Sequence, residues 1–154
     1  MGRTARASLE ELSREVFEIT KVTWLMTPRT RRASHYDLSE TEFLTLDALE
    51  QQGCLTVGAV QRRIQVVPAQ MSRILRNLET KHERPLVRCA INAKDKRRVD
   101  VRLTKAGTAA VAAFRRHKIT MTQSALRSLR ARDRERLRRV VHMIRQAIDK
   151  MVPR

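Results

Sequence analysis

Between Arg62 and Arg98 the chain concentrates groups suited to binding a polyanion. Residues 61–98 contain eleven Lys and Arg (Arg62, Arg63, Arg73, Arg76, Lys81, Arg84, Arg88, Lys94, Lys96, Arg97 and Arg98) against three acids, Glu79, Glu83 and Asp95. Cations at this density neutralise phosphates and release condensed counterions, which gives strong, salt-sensitive binding to nucleic acid. Met71, Ile74, Leu75 and Leu78 recur at helical spacing and predict the buried side of a helix that Pro68 opens. Gln70, Ser72, Arg73, Arg76 and Asn77 then fall on its more exposed side and form the candidate reading surface. Arg suits the guanine edge, and Gln or Asn the adenine edge. Lys94, Lys96 and Arg98 suit phosphates, which position a protein without reading sequence. For Arg62 and Arg63, phosphate contact and plain surface charge are equally good readings, and a solvated polar face is the ordinary alternative for the helix.

Other chemistry finds little footing. There is no Gly-rich phosphate loop, nucleophile elbow or HExxH pattern. His82, His117 and His142 are isolated in sequence, and Cys54 and Cys89 form no metal-spaced pair. No enzymatic activity, metal or cofactor is expected. Redox sensing by a cysteine is a minor alternative, and Cys89 reads as a small core residue.

The whole chain has 154 residues and a net charge of +17, with 42% hydrophobic residues. That composition fits a folded basic domain with appended helices and favours polyanionic partners. The charge is uneven: residues 38–56 carry four acids and no Lys or Arg, whereas residues 127–139 carry seven Arg against Asp133 and Glu135. The arginine-rich stretch reads as a solvated helix junction, with an extra DNA-backbone patch or an anion site as its alternatives. No apolar run approaches a membrane span, and the first residues lack a signal peptide's apolar block. A soluble cytoplasmic protein associated with the nucleoid is expected.

The elements that must position these groups follow from caps and periodicity. A capping box at Ser8–Glu11 starts a helix that is expected to end near Met26, before Pro28, with a basic loop to Asp37. A second box at Ser39–Glu42 opens a helix stopped by Gly53. Thr56 caps a third helix, and Pro68 starts the fourth. Residues 86–91 and 98–103 read as two strands around the tip 92–97. Thr104 caps a long helix to about Leu129, and a last helix spans Ala131 to Met151. The order is α-α-α-α-β-β-α-α.

The run Asp95-Lys96-Arg97-Arg98-Val99-Asp100-Val101-Arg102-Leu103-Thr104-Lys105-Ala106-Gly107 resembles the wing signature of the MarR family of bacterial transcriptional regulators. That signature is Asp-x-Arg, a short strand, then Leu-Thr-x-x-Gly. Leu55–Val57 and Arg73–Glu79 resemble the same family's helix-turn-helix. The chain departs from the pattern at Val67, where Ser or Thr is usual, and at Lys81–Pro85, where the turn lacks Gly.

The resemblance implies a mainly α fold with a small β-hairpin wing, a winged helix-turn-helix flanked by dimerisation helices. Residues 1–37 and 105–154 would dimerise, and residues 38–104 would bind DNA. The fourth helix would enter the major groove. Arg97 would enter the minor groove, with Asp95 orienting its guanidinium. Partners would be double-stranded DNA bearing a pseudo-palindromic operator, a second copy of the chain, and a small aromatic or anionic effector. Trp24, His35, Tyr36 and Phe43 would line the effector's cleft, with ordinary packing as their alternative role. A repressor released by its effector is the leading expectation. A sequence-tolerant nucleoid-associated protein and a winged-helix protein adaptor are the competing ones.

Overall fold

The computed structural model describes residues 8–33 and 36–151, with residues 23–33 as backbone only. Two compact units make up the chain, residues 1–116 and 117–154. The elements are α1 (Leu9–Ala33), α2 (Glu40–Gln52), β1 (Cys54–Thr56), α3 (Val57–Ile64), α4 (Pro68–Thr80), β2 (Val87–Ile91), β3 (Val99–Leu103), α5 (Lys105–Leu126) and α6 (Ala131–Met151).

The helix starts are set by the residues that the sequence marks. Glu11 N–H donates to Ser8 Oγ at 3.1 Å, and Ser8 N–H returns a bond to the Glu11 carboxylate at 2.6 Å. Ser39 and Glu42 repeat the exchange at α2. Thr56 Oγ1 accepts from Ala59 N–H, and Thr104 Oγ1 accepts from Gly107 N–H. Each such cap contributes about 1 kcal/mol by satisfying a donor the helix leaves open. Gly53 ends α2 with φ 77°, a conformation that an L side chain rarely adopts.

Two features depart from expectation. α1 does not stop before Pro28 but continues to Ala33. A proline removes one donor and crowds the carbonyl four residues back, yet Leu25, Met26, Arg29, Arg31, Arg32 and Ala33 around it are strong helix formers. The second departure is β1. The expected hairpin is joined by a third strand in an antiparallel sheet of order β1-β3-β2. Three residues are too few to show an alternation, and β1 exists through its pairing of Leu55 with Val101, far along the chain.

The core of the first unit gathers one face from each element. It comprises Leu38, Leu46, Leu49, Val60, Met71, Ile74, Leu75, Leu78, Leu86, Val87, Val101, Ala110, Val111 and Phe114. Burying each large member contributes about 1.5–3 kcal/mol, and together they fix α4 and the hairpin on a common support. Arg115 of α5 ties that support to α2 by ion pairs with Asp47 at 2.6 Å and Glu50 at 2.7 Å. In the second unit, α6 has no buried residue among those described.

Candidate nucleic-acid interface

The reading helix α4 is held by its buried side, Met71, Ile74, Leu75 and Leu78. Pro68, Ser72, Arg73 and Arg76 are exposed on the other side, and Gln70 is half-buried at its flank. Val67 stands at the N-cap and makes no side-chain hydrogen bond there, so the first-turn donors are left for solvent or a ligand. The turn into α4 passes through Gln65, which adopts φ 55°.

Asn77 leaves the expected reading surface. Its Nδ2 donates to Glu42 Oε1 at 3.2 Å, across to α2. Glu42 is buried and also accepts from Ser39 N–H. A carboxylate taken out of water demands donors, and Asn77 is the residue of α4 that supplies one.

The wing tip is closed by two backbone bonds, Asn92 N–H to Arg98 O and Arg98 N–H to Asp95 O, each at 2.9 Å, and by side chains that brace the turn between them. Asn92 Oδ1 accepts from the N–H groups of Lys94 and Asp95, each at 2.9 Å, while Asn92 Nδ2 donates to the Asp100 carboxylate. Asp95 Oδ1 accepts from Arg97 N–H at 3.1 Å, and Asp95 Oδ2 pairs with Arg98 Nε at 3.0 Å. Asp95 therefore orients the guanidinium of Arg98, not that of Arg97, which it holds by the backbone. The reason is reach: an N–H two residues on is within the span of an Asx turn, and the next side chain lies on the carboxylate's free side. Lys94, Lys96 and Arg97 are exposed around this turn.

Between α4, the start of α3 and the wing runs a groove of about 730 Å³. Arg62, Ser72, Arg76, Arg97 and Arg98 line it together with Thr56, Gly58 and Glu79. The Glu79 carboxylate accepts from Cys89 N–H at 3.0 Å, which anchors β2 to α4. The groove thus brings together cations from three separate elements. Of the groups outside it, Arg63 donates to Gln51 Oε1 at 2.9 Å and braces α3 on α2. The roles of Asn92 and Glu79 were not anticipated; Asn92 had a visible signal, an Asx residue opening a charged turn, whereas Glu79 had none.

Cys89 on the groove wall has its thiol pushed up to about 11, by burial first and then by Glu79. It is a poor thiolate source, as a structural cysteine should be. Among the described residues no cluster of His, Cys, Asp and Glu fits a metal ion.

Of the four proposed effector residues, Tyr36 and Phe43 are described with their side chains, and they do not line the same cavity. His35 and the side chain of Trp24 lie outside the described residues. Tyr36 lines a cavity of about 580 Å³ with Asp37, Lys81, His82 and Arg84. Its ring centroid is 6.2 Å from that of His82, whose Nε2 is buried without a hydrogen-bond partner. Burial lowers the His82 pKa, Lys81 adds to this, and Glu42 and Asp37 oppose it. Phe43 is absent from this cavity's walls and stacks on Phe114 at 4.5 Å; it packs α2 on α5.

In the second unit, Arg136 pairs with Asp133 at 3.8 Å, and Arg138 and Arg139 pair with Glu135 at 2.9 and 3.7 Å. All are exposed, where such pairs contribute little.

Residues 38–99 match the MarR family. No curated protein sequence matches the chain. Among solved structures, RV1404 from Mycobacterium tuberculosis is 17% identical, with a TM-score of 0.76 over 95% of this chain and 98% of that one. FabT from Streptococcus pneumoniae, solved in complex with DNA, is 17% identical, with a TM-score of 0.73 over 94% and 100%. BpsR from Bordetella bronchiseptica, whose DNA binding is regulated by 6-hydroxynicotinic acid, is 21% identical, with a TM-score of 0.59 over 86% and 98%. These likenesses establish the fold.

Proposed function

We propose, on the premise that the winged-helix core of this chain at residues 38–99 belongs to the MarR family, that it is a homodimeric DNA-binding transcriptional regulator. It acts as a repressor on a pseudo-palindromic operator and is released by a small-molecule effector. The observation that carries this is the groove in which Arg62, Arg76, Arg97 and Arg98 converge from α3, α4 and the wing. The exposed side of α4, with Ser72, Arg73 and Arg76, enters the major groove, where Arg meets guanine edges. Gln70 serves the flank, and Pro68 opens the helix toward the backbone. Lys94, Lys96 and Arg98 take phosphates, and Arg97 enters the minor groove, whose narrow, negative stretches attract guanidinium groups.

A second copy covers the apolar residues that α1 and α6 leave exposed, among them Leu12, Val16, Val140, Ile144 and Ile148. Two α4 helices then read half-sites about one helical turn apart. The effector enters the cavity beside Tyr36 and His82 and shifts the population of dimers away from the DNA-competent spacing. No helix among the described residues is long and apolar enough to cross a membrane, in keeping with action in the cytoplasm on the nucleoid.

Arg97→Ala in the full chain tests the assignment. Operator affinity should fall at least about tenfold, because a guanidinium is lost from the narrow, negative minor groove. Thermal stability should be unchanged. Unaltered affinity in this variant would remove the wing from the interface.

A further inference from the structure

Strand alternation gives the wing hairpin two unlike faces. Cys89 and Val101 face α4: Val101 is buried, and Cys89 lines the α4 groove. Arg88 and Arg102 point the opposite way. They are direct partners in the antiparallel register, so their side chains leave the sheet side by side. Both are exposed, and neither has a carboxylate within ion-pair distance among the described residues. Asp100, on the same face, is engaged at both oxygens by Asn92 Nδ2. Two like charges directly opposed on neighbouring strands weaken a sheet.

The two guanidinium groups stand on a cavity of about 1030 Å³, with Arg84 and Lys105 also at its walls and Ala90, Ala106 and Ala109 supplying apolar surface. We propose that this outer face of the wing is a binding site for an organic phosphate monoester. Arg88 and Arg102 grip its phosphate as two planar forks, and the alanines receive its apolar body. Guanidinium forks match phosphate geometry in paired hydrogen bonds, and the local excess of positive charge matches a headgroup carrying about −1.5 to −2 at neutral pH. The ligand replaces repulsion between the strands with attraction to a shared anion. The face lies away from α4, so the site is independent of how the groove engages DNA.

The test titrates the full chain with phenyl phosphate at constant ionic strength, by calorimetry and by thermal unfolding. The wild-type chain should bind about one equivalent per chain and gain thermal stability. The double variant R88Q/R102Q should lose at least tenfold in affinity; without ligand it should be as stable as the wild type or more so, because the repulsion is gone. Arg88→Lys, which keeps the charge and loses the fork, should fall between them. Arg97→Gln, which removes a cation from the wing tip, should bind phenyl phosphate as the wild type does. Three results overturn the proposal: equal affinity in R88Q/R102Q, an equal loss in Arg97→Gln, or a response that never saturates.

Discussion

At Cys89, burial and the Glu79 carboxylate act in the same direction and raise the thiol to about 11. At pH 8 only about one molecule in a thousand would carry the thiolate, roughly a hundredfold less than for an ordinary cysteine. Iodoacetamide should therefore alkylate Cys89 of the native protein slowly at pH 8 and faster as pH rises toward 11, read by mass spectrometry of the peptide. Rapid alkylation at pH 8 would contradict the packing of β2 against α4. The sequence already marks Cys89 as a small interior residue, because its strand position is legible. It does not reveal what Asn77 does. Helical spacing places Asn77 beside Arg73 and Arg76, but Glu42, thirty-five residues earlier, claims it. The same limit holds for Asp95: its link to the wing is legible, while the choice of Arg98 over Arg97 as its ion-pair partner depends on the turn geometry set by Asn92.

Among the elements, the junction of β3 and α5 shows why the motif Leu103–Gly107 takes the form it does. Thr104 Oγ1 donates to Pro85 O at 2.6 Å and accepts from Gly107 N–H at 3.0 Å, so one hydroxyl caps α5 and clamps it to the start of β2. A Cβ on Gly107 would collide with the Leu86 carbonyl and the Leu103 side chain. Gly107→Ala should accordingly destabilise the chain by at least about 2–3 kcal/mol, measured by urea unfolding, and weaken DNA binding through the displaced wing. A variant as stable as the wild type would refute the close approach. Elements fixed by local signals were legible: the Ser39–Glu42 box, Gly53, Thr56 and Thr104 all act where their types imply. Those fixed from a distance were not. β1 needs Val101 to exist; α1, by contrast, persists beyond Pro28 for a local reason, the strong helix formers around the proline.

For the whole molecule, a charge of +17 and two exposed apolar faces define the behaviour. Leu137, Val140, Val141, Ile144, Ile148 and Met151 form one exposed stripe along α6, more than an isolated soluble helix would display. Ile144→Asp should turn a dimer into a monomer in sedimentation equilibrium and weaken operator binding with it. A monomeric wild type, or a dimeric variant, would show that the stripe has another occupant. The charge alone would hold any DNA at low salt, so affinity by itself does not separate a regulator from an architectural protein. The measurement that does is the ratio of affinities of the purified chain for the DNA upstream of its own gene and for a scrambled duplex, taken across a salt series. A specific regulator prefers its operator by several hundredfold or more at physiological salt. Equal affinities that collapse together as salt rises would contradict sequence-specific regulation at that site.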